Sequence, residues 1–201
     1  MSLVRIGITG GIGSGKSYVA QCLKEHFHIP VYDCDQEAKR LNVESAEIRQ
    51  ALIRLAGSDV YAPNGNLRKD VLARFLFANE DNARRVNAIV HPVVARDFEA
   101  WADAQQQEEL VAIESAILFE SGFDKLVNVI INVNAPAQLR IDRATRRDNT
   151  TPQAIQARMD RQLSDNERQQ RADYTIINDG RDLITPISNI LREITTNNLN
   201  K

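Results

Sequence analysis

Five short apolar runs recur along the chain, and segments with helical periodicity separate them. The runs are rich in β-branched residues and do not alternate with polar positions, which is typical of strands covered on both faces of a parallel sheet. A repeated strand-helix order of this kind predicts an α/β fold with a five-stranded parallel sheet and helices on both faces. The predicted strands are residues 3–9, 29–33, 110–115, 126–133 and 174–178.

The connection between the second and third strands, about residues 36–107, is much longer than one crossover helix requires. It contains two segments with helical periodicity, residues 67–79 and 81–105, and the turn signal "APNGN" precedes the first of them. We expect a helical subdomain inserted at one edge of the sheet.

A second polar segment, which follows the fourth strand, is rich in arginine and poor in apolar residues. Arg140, Arg143 and Arg147 fall at i, i+3 and i+7 on one helix face, and Arg158 and Arg161 follow. Guanidinium groups match phosphate oxygens in bidentate fashion. The segment therefore predicts a mobile helical lid that closes over a transferring phosphoryl group and excludes water, although interleaved aspartates also suit an ordinary solvated face.

These patterns predict one folded unit, and 201 residues are enough to bury a sizeable core. The predicted core comprises about residues 1–35, 107–140 and 172–201. The predicted insertion is 36–106, and the predicted lid is 141–171.

The segment "GGIGSGKS" follows the first strand and opens a helix, and it satisfies the phosphate-binding pattern G-x-x-x-x-G-K-[ST]. Its glycines let backbone N–H groups turn towards phosphate oxygens, and the helix N-terminus adds partial positive charge. Lys16 is expected to reach the β- and γ-phosphates, and Ser17 to ligate Mg²⁺. The predicted ATP-binding residues of this loop are Gly10, Gly11, Ile12, Gly13, Ser14, Gly15, Lys16 and Ser17.

Two aspartates, Asp33 and Asp35, lie at the end of the second strand. Ligands of open α/β sheets bind at the carboxyl ends of the strands, so Asp33 is expected near the γ-phosphate, where it can accept a proton from an attacking hydroxyl. Asp35 is expected either to cap the following helix or to support Mg²⁺ or the acceptor.

Overall charge adds little to this picture, because 25 basic and 27 acidic residues leave a net charge of -2. Such a balance gives no reason to expect nucleic acid or an anionic membrane as a partner. No apolar run approaches the ~20 residues of a membrane span, and the first residues do not resemble a secretory signal.

The two cysteines show no metal-type or disulfide spacing, so we expect a reduced, cytoplasmic protein. We expect it to be a monomer or small homo-oligomer and to act on a small molecule.

The ordered motifs resemble the dephospho-CoA kinase family of P-loop kinases. The similar segments are "GITGGIGSGKS", "YDCDQEAKRL", "VHPVV", "AILFESG", "RRDNTTPQAIQARMDRQ" and "ADYTIINDG", and together they span about residues 4–195. The resemblance implies transfer of the ATP γ-phosphate to the ribose 3′-hydroxyl of dephospho-CoA, the last step of coenzyme A synthesis. It also implies a five-stranded parallel core, a helical CoA-side domain and a lid.

The resemblance further implies roles for single residues. Asp33 would be the base, and Lys16 and Arg143 would act on the transferring phosphoryl group. Arg147 and Asn178 would bind ATP. The substrate-binding residues would be Asp33, His91 and Glu114.

Some features of the similar segments remain open. His91-Pro92 also suits a helix start with Pro92 in the first turn. The family usually has aspartate where Glu114 stands and proline where Ala116 stands, and a glutamate at a strand end also suits a cap of the next helix. Glu120 is expected to be structural.

Two other functions stay open at this point. A kinase for a nucleoside or nucleoside monophosphate would use arginines of the insertion to hold the acceptor, and Arg68, Arg74, Arg84 and Arg85 are available. A nucleotide-dependent switch or binding module would need no Asp33. The chain has neither an Asn-Lys-x-Asp guanine motif nor an Asp-x-x-Gly switch motif, which argues against a GTPase.

Overall fold

A computed structural model describes residues 3–199, and these residues divide into two compact units. The first unit comprises residues 3–32 and 104–199, and the second comprises residues 33–103. Within the described residues, five parallel strands form a sheet in the order β2-β3-β1-β4-β5, which confirms the predicted fold class. The strands are β1 (Val4–Thr9), β2 (Val31–Asp33), β3 (Leu110–Glu114), β4 (Val129–Asn134) and β5 (Tyr174–Ile177).

Strand β1 lies at the centre of the sheet, between β3 and β4. Its register pairs Ile8 with Glu114 of β3 and Thr9 with Asn132 of β4. The carboxyl ends of these strands therefore meet at one edge, where the loop after β1 begins.

The main core of the first unit lies on one face of this sheet. Ile6, Ile8 and Ile131 are fully buried there and pack with apolar side chains of two helices. Val111 and Ile113, which flank Ala112 of this core along β3 and so point to the opposite face, are also fully buried. Both faces of the sheet are therefore covered, which explains why the strands read as continuous apolar runs rather than alternating ones. The two helices are α1 (Lys16–Phe27) and α9 (Ile184–Leu199).

The arginine-rich segment of the first unit forms three helices, and local capping explains where two of them begin. Thr151 caps one helix through its side chain, with Pro152 in the first helical position. Ser164 and Glu167 form a reciprocal capping box at the start of another. Ile155 is fully buried, so this segment contributes more apolar packing than its polar composition suggested. The helices are α6 (Ala137–Asp148), α7 (Pro152–Met159) and α8 (Asp165–Arg171).

The second unit is helical, and its longest helix contacts the three others. Arg40 and Asp97 join two of these helices through a bidentate ion pair with N–O distances of 2.9 and 2.8 Å. No helix in the described part of the chain is both long and apolar enough to cross a membrane. The helices are α2 (Cys34–Glu44), α3 (Ala46–Ala56), α4 (Lys69–Ala78) and α5 (Glu80–Asp103), with a 3₁₀ turn at Ser58–Val60.

The expectation that His91-Pro92 begins a helix is wrong. Pro92 lies inside α5, which begins at Glu80 and continues to Asp103. Proline has no N–H to give to the carbonyl four residues earlier, so the helix continues through one missing hydrogen bond. Apolar residues on both sides of Pro92 are buried on one face, and this packing stabilises the helix across the proline.

Candidate active site

The loop between β1 and α1 has a backbone that requires glycine at two positions. Gly13 and Gly15 have φ angles of +75° and +91°. A Cβ atom would lie 2.2 Å from the carbonyl oxygen of Arg140 at Gly13, and 2.0 Å from Asn178 Nδ2 at Gly15. The first N–H groups of α1 follow directly and have no partner within the helix, which is the arrangement that binds anions.

Lys16, Ser17 and Glu114 converge at the start of α1. The Ser17 hydroxyl donates to Glu114 Oε1 over 2.6 Å, and Lys16 Nζ lies 4.0 Å from the same oxygen. The register that pairs Ile8 with Glu114 explains this meeting, because the loop leaves β1 beside the end of β3. Glu114 is 8% exposed, so the cationic and hydroxyl partners hold a buried carboxylate. The alternative in which Glu114 caps a following helix is wrong, because turn residues follow β3.

The Ser17–Glu114 pair fits a magnesium ion. The Ser17 hydroxyl donates its hydrogen bond to the carboxylate, which leaves the lone pairs of the hydroxyl oxygen available for a cation. Mg²⁺ needs few oxygen ligands from the protein, because it keeps several bound waters and also binds substrate phosphates. Among residues 3–199, no group of three or more His, Cys, Asp or Glu side chains is arranged to hold a metal by itself. The extra methylene of glutamate does not prevent contact with Ser17.

Asn178 joins the loop to helix α6. Its Nδ2 donates to the Ser14 carbonyl over 2.9 Å, and Arg143 donates to the Asn178 carbonyl over 3.1 Å and to its Oδ1 over 3.3 Å. Asn178 directly follows β5 and is 7% exposed, and its own N–H bonds to the Asn134 carbonyl. This bridge fixes Arg143 beside the phosphate-binding loop.

A cleft of about 390 Å³ adjoins this bridge, within the size range of small-molecule sites. Sequence reasoning identified three of its lining residues and missed four others. No motif signals those four, because the cleft depends on how α1 and the turn after β5 meet. The missed residues are Tyr18, Gly180, Arg181 and Leu183.

Asp33 has a structural contact of its own, at the end of β2. Its Oδ1 accepts a hydrogen bond from the N–H of Gln36 over 3.0 Å, so Asp33 is the N-cap of α2. The expectation that Asp35 caps this helix is wrong, because α2 begins one residue earlier, at Cys34, and Asp35 lies in its first turn. An aspartate in that turn still stabilises the helix, because its negative charge lies near the positive end of the helix dipole. The cap uses Oδ1 of Asp33, and the second carboxylate oxygen takes no part in it.

Arg147 lies at the other end of α6 from the loop. Its Nε is 2.7 Å from Asp148 Oδ1, and Arg158 Nη1 of α7 is 2.6 Å from Asp148 Oδ2. Hydrogen bonds from Arg147 and Arg158 lower the pKa of Asp148 to about 2. In this structure Arg147 therefore pairs within the arginine-rich segment.

His91 lies in the second unit, within α5. Burial lowers the pKa of His91 below its usual 6.5. Arg74 and Arg84 of the same unit, two of the arginines considered for an acceptor site, pair with Asp70 and Asp81 on exposed helix surfaces.

The structure thus brings five of the predicted residues together around the loop: Lys16, Ser17, Glu114, Arg143 and Asn178. It also shows contacts that the sequence did not indicate. Gln162 Oε1 accepts from the N–H of Ile12 over 2.9 Å, and Arg140 is buried rather than directed at solvent. Glu120 accepts from the N–H of Leu163 over 3.2 Å, a structural contact like the one expected for it.

A family model for dephospho-CoA kinase (CoaE) matches residues 4–183. The chain belongs to the dephospho-CoA kinase family. The matched range includes the loop, Glu114, the arginine-rich segment and Asn178, so the residues that converge in the structure all lie within it.

Individual relatives agree with this assignment. The chain is 44% identical over 183 residues to a dephospho-CoA kinase of Bacteroides fragilis strain YCH46, covering 91% of this chain and 88% of the relative. It is 46% identical over 189 residues to a dephospho-CoA kinase of Porphyromonas gingivalis, covering 92% and 90%. Among solved structures, TT1252 from Thermus thermophilus is similar with a TM-score of 0.81 and 28% identity, covering 98% of both chains.

Proposed function

We propose that this protein transfers the γ-phosphate of ATP to the ribose 3′-hydroxyl of dephospho-CoA, giving coenzyme A and ADP. The observation that carries the proposal is the convergence of Lys16, Ser17 and Glu114 at a glycine loop that Asn178 links to Arg143. Membership of the dephospho-CoA kinase family supports the substrate assignment. A cytoplasmic location and a monomeric or small homo-oligomeric state remain predictions.

In this proposal the loop and its neighbours bind the triphosphate of ATP. The N–H groups at the start of α1 and the Lys16 ammonium would lie against the β- and γ-phosphates, and Arg143 would add a guanidinium from α6. Phosphoryl transfer depends mainly on positioning and on stabilising the charge that develops on the transferring group. Arg143 is already hydrogen-bonded to Asn178, so this guanidinium would need little reorganisation when ATP binds.

Ser17 and Glu114 would hold Mg²⁺, Ser17 through its hydroxyl oxygen and Glu114 by orienting that hydroxyl or by binding metal-bound water. When bound, the ion would supply positive charge that offsets the negative charge of the phosphates. The hydrogen bond from Ser17 to Glu114 supports this role, because it fixes the rotamer of the hydroxyl.

Asp33 would act as the general base towards the 3′-hydroxyl. A carboxylate that uses one oxygen to cap α2 keeps a second oxygen for the acceptor, and the cap limits rotation of the side chain. His91 of the second unit would contact dephospho-CoA, and its lowered pKa keeps the imidazole neutral at pH 7.

The experiment that tests the reaction is ADP release from ATP and Mg²⁺ with a panel of acceptors. The panel comprises dephospho-CoA, AMP, CMP, adenosine and no acceptor. We expect a rate with dephospho-CoA alone, and a product identical to coenzyme A. A rate with AMP or CMP instead would replace the proposed substrate, and slow release without an acceptor would favour a switch.

The role of Asp33 can be separated from its structural contact. Asparagine caps helices as well as aspartate does, so Asp33→Asn preserves the cap while removing the base. We expect turnover to fall about 10²-fold with the ATP dissociation constant unchanged, in the range of a positioned general base. Asp59→Asn, at an exposed position of the same unit, is the matched control and should retain activity. Wild-type turnover in Asp33→Asn would remove Asp33 from the mechanism.

A further inference from the structure

Ile12, in the middle of the phosphate-binding loop, is enclosed by the arginine-rich segment. Its side chain is 8% exposed and forms a small apolar cluster with Ala144 of α6 and Ile155 of α7. Ile141 and Met159 pack against the same cluster. One side chain of the loop is therefore part of the core of the segment that follows β4.

Both backbone hydrogen-bonding groups of Ile12 are also engaged by that segment. The N–H donates to Gln162 Oε1 over 2.9 Å, and the carbonyl accepts from Arg140 Nε over 3.0 Å. These two bonds set the orientation of the peptide planes before and after Ile12. The N–H that points to Gln162 is not directed at phosphate, so the loop must bind phosphate with the N–H groups that follow.

Arg140 is held rigidly in this contact. Its Nη1 lies 2.7 and 2.6 Å from the two carboxylate oxygens of Asp165, and Arg168 donates to the same carboxylate. Arg140 and Arg168 are 1% and 2% exposed, so two buried guanidinium groups share one carboxylate that is itself partly exposed. The backbone carbonyl of Arg140 also lies against Gly13, where no Cβ would fit.

Gln162 is held by the chain on either side of it. Its N–H donates to the Met159 carbonyl over 3.0 Å, at the end of α7. The next residue, Leu163, donates its N–H to Glu120, and Ser164 then begins the capping box of α8. The amide of Gln162 is thus presented to the loop from a fixed backbone.

We propose that Gln162 and Arg140 are positioning residues that orient the phosphate-binding loop through Ile12. We call Ile12, Gln162 and Arg140 the loop clasp. The clasp holds the loop in the conformation that directs the N–H groups after Ile12 towards the phosphates of ATP. It also joins the loop to both helices of the arginine-rich segment that pack on Ile12, so that ATP binding and the position of that segment are coupled.

The physical reason is preorganisation. Backbone donors that are already oriented stabilise developing negative charge without reorganising during the reaction. Deleting the Gln162 acceptor leaves the N–H of Ile12 without its partner, and the loop can then rotate to satisfy it elsewhere. This inference deepens the proposed function. Only the Michaelis constants depend on the proposed reaction, whereas ATP affinity and amide exchange can be measured without it.

Two substitutions at Gln162 and one control test the clasp. Gln162→Met removes the acceptor at similar volume, whereas Gln162→Glu keeps an acceptor oxygen at the same chain length. Gln156→Met is the matched control, because Gln156 lies on the exposed face of α7 and donates only within that helix region, to Asp160.

Three quantities are measured for each variant: the ATP dissociation constant by calorimetry, the hydrogen-exchange rate of the Ile12 amide, and the Michaelis constants for ATP and dephospho-CoA. For Gln162→Met we expect ATP affinity to fall about tenfold, as for a lost hydrogen bond to a buried N–H. The Ile12 amide should exchange faster, and the Michaelis constant for dephospho-CoA should stay within about twofold, since the change lies at the loop. Gln162→Glu should restore protection of the Ile12 amide and most of the ATP affinity.

ATP affinity in Gln162→Met equal to that of Gln156→Met would overturn the proposal. So would an equal loss of affinity in Gln162→Glu with the Ile12 amide still protected, because the hydrogen bond would then not be what orients the loop. If the wild-type protein did not phosphorylate dephospho-CoA, the proposed function would fail, while ATP affinity and amide exchange would still decide the clasp.

Discussion

Arg140 and Arg147 lie about two turns apart on α6 and have different surroundings. Arg140 is 1% exposed and pairs with Asp165 under the phosphate-binding loop, whereas the side chain of Arg147 is 57% exposed and pairs with its neighbour Asp148. Arg143, between them, is held by Asn178 beside the loop. One helix therefore carries, in succession, a buried arginine, an arginine hydrogen-bonded beside the loop and an exposed arginine.

This difference teaches that arginine spacing alone does not distinguish packing from phosphate binding. The spacing i, i+3, i+7 places all three side chains on neighbouring parts of the helix surface. The two end arginines differ in what contacts them. The loop and α8 contact Arg140, whereas Arg147 lies beside Asp148, which also pairs with Arg158.

The largest expected effect is on stability at Arg140. Arg140→Met leaves the Ile12 carbonyl without its donor and Asp165 without one of its two arginines. We expect the free energy of unfolding to fall by about 3 kcal/mol, at the lower end for breaking a buried ion pair because Asp165 is partly exposed. Arg147→Met should change the free energy of unfolding by less than about 0.5 kcal/mol, because its ion pair is exposed. Urea denaturation of both variants measures the contrast, and equal losses would contradict it.

The next effect is on ATP use at Arg143. Under the proposed function, Arg143→Met should reduce kcat/KM for ATP about 10²-fold, since it would remove a cationic donor to the transferring phosphoryl group. The loss of stability should be smaller than for Arg140→Met, because the bonds to Asn178 are longer and partly exposed. Arg146→Met, at an exposed position of the same helix, is the matched control. Steady-state kinetics that show the same values for both variants would exclude Arg143 from the site.

The smallest effect concerns the pKa of Asp148. This pKa, about 2, lies below the usual 3.8, so the ion pairs stabilise the fold above about pH 4 and lose that contribution as the pH falls through 2. Arg158→Met should raise the pKa of Asp148 towards its usual value. Titration of the Asp148 carboxyl resonance by NMR measures this change, and an unchanged pKa would show that Arg158 does not hold the carboxylate.

The strands and the phosphate-binding loop were predictable from the sequence because their determinants are local. Consecutive β-branched residues specify a covered strand, and one octapeptide contains the glycines, the lysine and the serine of the phosphate-binding pattern. The role of Glu114 was harder to predict, since the contact with Ser17 depends on the register between β1 and β3 rather than on spacing along the chain.

The residues that the sequence did not reveal act through long-range contacts. Gln162 lies in a polar stretch with no recognisable pattern, and only the packing of Ile12 against α6 and α7 brings its amide to the loop. Pro92 was misplaced for the opposite reason. A local signal that usually marks a helix start was outweighed by the buried face of α5 on both sides of it.

The hydrogen bonds of the loop have a consequence for how the protein acquires its structure during synthesis. Ser17 is separated from Glu114 by 97 residues, Ile12 from Gln162 by 150, and Ser14 from Asn178 by 164. Contacts between such distant residues form late, because closing a long chain segment must precede any gain from the contact. A ribosome therefore exposes the nucleotide-binding loop early, but the nascent chain completes the surroundings of that loop only after β5 has emerged. Until then the loop lacks the partners that fix its conformation, so we expect tight nucleotide binding only from a chain that has been synthesised beyond residue 178.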